Sequence, residues 1–139
     1  MKCKSSKVDT PEQTTEKKLY FGSGGGFAGT YTEYALLENG QFFGRLTTKQ
    51  PWQEFDPIPQ EKTTEYFNLV DELRLKKMEF NTPGNWSHYL ILEEGDQPPH
   101  KIQWCAEAKP EDDRVIAFYK SLESHTKELP PFKADNPVR

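Results

Sequence analysis

Cysteine is scarce in this 139-residue chain: only Cys3 and Cys105 are present, with no C-x-x-C spacing. That excludes a disulfide-stapled scaffold and a thiolate zinc knuckle. The three histidines, His88, His100 and His125, bring no companion ligands at metal-binding spacing, so no metal or cofactor is expected. Long apolar runs are missing too, and nothing approaches the ~20 residues of a membrane-spanning helix. Basic residues form no stripe; 18 Lys and Arg are scattered among 22 Asp and Glu, for a net charge of −4. Nucleic-acid binding by counterion release needs such a stripe, so no nucleic-acid partner is expected. The apolar fraction is also low, at 34%. A single domain is expected, with part of the chain outside its core.

Signatures of catalysis are lacking in the same way. There is no G-K-[ST] and no G-x-S-x-G. Glu111, Asp112 and Asp113 are adjacent, but they suit the positive end of a helix dipole. Glu93, Glu94 and Asp96 fall in a polar turn. The expected class is therefore a non-enzymatic one.

Aromatic residues are plentiful at 13%, so the core should rest on Phe, Tyr and Trp. Residues 1–17 are polar and carry Pro11, and read as a disordered tether. The folded domain is expected over 18–129, with an extended tail at 130–139. "KKLYF" (17–21) reads as a short strand, "TYTEYALL" (30–37) as a second and "QFFGRLTT" (41–48) as its return. Between the last two lies Asn39-Gly40, a strong two-residue turn signal, which would pair Leu37 with Phe42 and Ala35 with Gly44. "KQPWQEFDPIPQ" (49–60) reads as a crossing segment pinned by Trp52 and Phe55. Residues 61–75 carry Tyr66, Leu69, Val70 and Leu73 at helical spacing. "KKMEF" (76–80) reads as another strand, before a Pro-Gly turn at 81–85.

"WSHYLILE" (86–93) and "HKIQWC" (100–105) form a hairpin. Partners whose numbers sum to 192 place Trp86, His88, Leu90, Leu92, Ile102 and Trp104 on one face, leaving a more polar face opposite. That register separates His88 from Cys105. A second helix is expected over 110–129, starting at Pro110, with Val115, Phe118, Tyr119 and Leu122 as its stripe. The order is roughly ββ(β)αββ(β)α: an α+β domain with a mainly antiparallel sheet and both helices on one face.

"FGSGGGFAG" (21–29) contains a literal G-x-G-x-x-G in Gly24, Gly26 and Gly29. A dinucleotide fingerprint needs a helix directly after it, and here a Thr/Tyr-rich strand follows. A wide turn or bulge between strands is the expected structure. Such a loop can still dock a partner or a small ligand such as phosphate, so Gly24, Gly25, Gly26, Phe27 and Gly29 are candidate binding residues. Trp52 and Phe55 join them, because with Tyr31 and Trp86 they supply more aromatic surface than two short helices are expected to cover.

Cys3, the polar "KSSKVDT" after it, "YFGSGGGFAGTYTEYALLENGQ", "FNTPGNWSHYLIL", "KIQW" and the closing "FYKSL" together resemble small lipoprotein-like domains of bacterial cell envelopes. The resemblance implies a lipid on Cys3, a periplasmic or surface location, and a binding or accessory role. The partner would be a protein or another envelope component, with membrane contact only through the anchor. Two other readings stay open: a cytosolic inhibitor or immunity-type protein, and a small-ligand binder using Gly24–Gly29.

Overall fold

The structure, a computed structural model, describes residues 7–26, 30–47, 50–130 and 132. β-branched and aromatic residues in extended runs build one sheet from β1 (Lys18–Gly25), β2 (Thr30–Leu37), β3 (Phe42–Leu46), β4 (Gln53–Phe55), β5 (Trp86–Glu93) and β6 (His100–Cys105). The spatial order is β4-β3-β2-β1-β5-β6, and every pairing is antiparallel. Two helices, α1 (Gln60–Glu72) and α2 (Asp113–Ser124), pack on one face. This is the expected α+β architecture, with four strands before α1 and two after it.

Apolar side chains face the helices from alternate positions of each strand. Leu19 and Phe21 of β1, Leu36 of β2, Phe42 of β3, Leu90 and Leu92 of β5 and Ile102 and Trp104 of β6 meet Tyr66, Val70 and Leu73 from the α1 side. From α2 they meet Val115, Phe118, Tyr119 and Leu122, the stripe expected from spacing. Tyr66 ties the helices together: its hydroxyl lies 2.8 Å from Ser121 Oγ and 2.7 Å from His125 Nε2. Asp112 caps α2 by accepting the Arg114 amide, so the helix begins at Asp113, three residues after the position where Pro110 would have started it.

The β5–β6 hairpin has the register summing to 192: Ser87 faces Cys105, His88 faces Trp104 and Leu90 faces Ile102. Trp86 shares that face but is half exposed, because it lies past the row that α2 covers.

The β2–β3 turn departs from expectation by one residue. Leu36 faces Phe42 and Ala35 faces Phe43. Three residues, Glu38 to Gly40, make the turn: Leu37 N donates to Gln41 O at 3.0 Å, and Gly40 takes φ 96°. Both faces of β2 and β3 are apolar here, so patterning could not select the register. The expected strand at 76–80 is instead a 3-10 turn over Leu75–Lys77, followed by a single parallel bridge from Asn81 to Gln103. The crossing segment contains β4, a three-residue edge strand bracketed by Pro51 and Pro57, which limit further pairing at that edge.

Of the expected tether, residues 7–17 dock on the domain. Gln41 clamps Val8 through two bonds of 2.9 Å: its Oε1 accepts from the Val8 amide and its Nε2 donates to the Val8 carbonyl. Pro11 is buried and its carbonyl accepts from Lys18 Nζ at 3.0 Å. Thr15 O accepts from Gly95 N at 2.9 Å. The segment thus crosses the sheet face that the helices leave open, as a strap. Near the other terminus, Phe132 packs on Tyr34 and Phe55.

Candidate functional site

The strap face is where the glycines of β1 acquire a role. Across the sheet, Arg45 of β3 pairs with Glu33 of β2, Glu33 with Gly22 of β1, Gly22 with Tyr89 of β5, and Tyr89 with Gln103 of β6. Successive strands lie about 4.8 Å apart, so Tyr89 can reach Glu33 only over a residue without a side chain. Its hydroxyl donates to Glu33 Oε2 at 2.9 Å. A Cβ on Gly22 would come within 2.8 Å of that hydroxyl and would also run into the Thr32 carbonyl. Gly24 makes the same room beneath the Tyr31 ring, which leans on Tyr89 with centroids 6.3 Å apart.

Arg45 completes the row. Its Nε and Nη2 donate to Glu33 Oε1 at 3.1 and 2.8 Å, and its guanidinium lies 3.9 Å above the Trp52 ring. Trp52 Nε1 donates to Glu12 Oε2 of the strap at 2.8 Å. A second ion pair, Lys18 to Glu93 at 3.2 Å, lies alongside. Together Glu12, Lys18, Tyr20, Glu33, Arg45, Ile91, Glu93 and Pro99 line a cleft of about 460 Å³.

The electrostatics follow from this burial. Burial raises the Tyr89 hydroxyl far above its ordinary value, and the Glu33 charge and hydrogen bond add to the shift. Tyr20 is raised too, by burial and then by Glu93. Burial also pushes the Glu12 carboxyl upward. Hydrogen bonds led by Trp52, with a smaller pull from Arg45, outweigh it and leave Glu12 below its ordinary value. The cleft therefore presents neutral phenols and charged groups already held by one another. Such a site holds ordered donors and acceptors.

The sequence-derived candidates separate in space. Gly24 and Trp52 share the strap face, Trp52 against Tyr20 and Phe43. Phe55 is buried on the helix face beside Phe42. Gly25 and Gly26 lie at the end of β1, where Gly26 N donates to Asn85 O at 2.7 Å. The expected wide turn is thus mostly strand: β1 continues to Gly25 between β2 and β5, and its amides serve those ladders rather than an anion. Phe27, Gly29 and Cys3 lie outside the described residues.

Glu33, Arg45 and Tyr89 were missed by sequence reasoning. A charged residue inside a Thr/Tyr-rich strand was the available signal, but only the register shows that Glu33 and Arg45 are cross-strand partners. Cys105 Sγ packs at Gly84, where an added Cβ would lie 2.7 Å away, on the opposite side of β6 from the helix-facing His88 row. Compared with known proteins, the chain matches no family model, and no curated protein matches it.

Proposed function

We propose that this chain is a non-enzymatic binding module of a bacterial cell envelope, anchored through a lipid on Cys3, and that it holds an envelope component in the strap-face cleft. One observation carries the binding reading: the charged rim is fixed by its own pairs, with Arg45 gripped between Glu33 and Trp52, and Trp52 bonded to Glu12. Groups that satisfy one another need no counter-ion from a ligand. They offer a rigid array of donors and acceptors over an apolar floor of Tyr20 and Ile91. The chemistry that suits such a cleft is uncharged and rich in hydroxyls, as in an envelope glycan.

Co-sedimentation with purified peptidoglycan sacculi tests the cleft. The wild type should pellet, and Glu12→Gln combined with Glu93→Gln should pellet less while remaining folded by circular dichroism. If the wild type stays in the supernatant, the cleft reading fails. The anchor has its own readout. Alkyne fatty acid fed to cells expressing the native gene should label the protein, and Cys3→Ala should abolish the label. An unlabelled wild type would move the assignment to the cytosolic inhibitor or immunity-type reading.

A further inference from the structure

On the opposite side of the sheet, between α2 and the end of the β5–β6 hairpin, is a cavity of about 210 Å³. We propose that it is a binding site for a small planar aromatic carboxylate, separate from the strap-face cleft. Its size falls below the ~300–1,000 Å³ of pockets for drug-sized ligands and suits a single ring. His88, Trp104 and Tyr119 line it, with ring centroids 5.1 to 6.0 Å apart, and Ile116 adds an aliphatic wall. A flat ring entering there continues the stacked and edge-on contacts already present.

Polar groups select the head of the ligand. His88 Nδ1 is buried with no hydrogen-bond partner. Burial lowers the His88 pKa against a weaker opposing pull from Glu123, so the ring is neutral at pH 7. A neutral imidazole carries one N–H on either nitrogen, so Nδ1, which lacks a partner, can donate to an incoming oxygen. Lys109 and Lys120 also line the cavity; both are exposed, and neither has an ion-pair partner among the described residues. Against these two ammonium groups stands one carboxylate, Glu123. An N–H donor inside and surplus positive charge outside call for an anionic acceptor on an aromatic body.

Benzoate and the neutral benzamide are the probes, followed by NMR of the Trp104 indole and His88 ring signals. Benzoate should shift both saturably, and benzamide should bind about tenfold more weakly for want of the charged contacts. Lys109→Met with Lys120→Met, both on the surface, should weaken benzoate by about tenfold and leave benzamide unchanged. Absence of a saturable shift in the folded wild type would overturn the site. Equal binding of the two probes, or indifference to the lysine substitutions, would overturn the carboxylate assignment.

Discussion

The two faces of the sheet are held by different physics. Under the helices, Leu19, Leu36, Leu90, Ile102, Val115 and Leu122 are completely buried, and shape and apolar area carry the contact. Under the strap, four buried apolar residues, Tyr20, Ala35, Leu37 and Phe43, share the face with Glu33, Lys18 and Gln41, all nearly inaccessible. Each of these three has a partner: Glu33 has Arg45 and Tyr89, Lys18 has Glu93 and the Pro11 carbonyl, and Gln41 has Val8. The helix face tolerates imperfect fit by degrees. The strap face depends on complete pairing, because an unmatched buried charge costs more than a matched one contributes.

Truncation should separate the two most sharply. Leu90→Ala on the helix face should lose about 3–5 kcal/mol through lost transfer and a residual cavity, measured by urea denaturation. Gly22→Ala adds only a methyl, yet should lose about 2–3 kcal/mol, because the Thr32 carbonyl is backbone and cannot step aside. A small loss there would show that the strap face can repack as freely as the other. Tyr89→Phe should lose about 2 kcal/mol by leaving Glu33 Oε2 without its phenol donor. Combined with Arg45→Met in a double-mutant cycle, it should give non-additive losses; additive losses would dissolve the network into independent contacts.

The smallest effect is one of pH, and it places the faces in different windows. Burial holds His88 and His125 below the ordinary imidazole value of 6.5, with Lys62 assisting at His125. The unfolded chain then takes up protons first as pH falls below 6.5, so this contribution is intact above 6.5 and declines below it. Glu12 is held below its ordinary 4.5, so its contribution is intact above 4.5 and is lost only on further acidification. Melting temperature should begin to fall below pH 6.5 in the wild type, and that fall should flatten in His88→Phe with His125→Phe. The acid limb below 4.5 should persist in that variant and shrink in Glu12→Gln. One shared slope removed by either change would erase the distinction between the faces.

Much of the helix face was legible because its signals are local. The spacing of Val115, Phe118, Tyr119 and Leu122 named the buried stripe of α2, and unequal polarity of the two faces chose the β5–β6 register. Where both faces were apolar, as in β2 and β3, the same reasoning missed the pairing by one residue. The glycine run misled because glycine weakens strand propensity. Its presence in β1 is explained only by rings arriving from β2 and β5.

By itself, then, the sequence determined most of the extended segments, both helices and the apolar stripe of each, since those depend on neighbours a few residues away. Tertiary structure decided that Gly22 lies beneath Tyr89, that Glu33 meets Arg45, that residues 7–17 strap one face, and that His88 lines a cavity with Tyr119. These contacts join positions far apart in the chain. They are set by register and by the crossing of layers, which no local pattern of residues encodes.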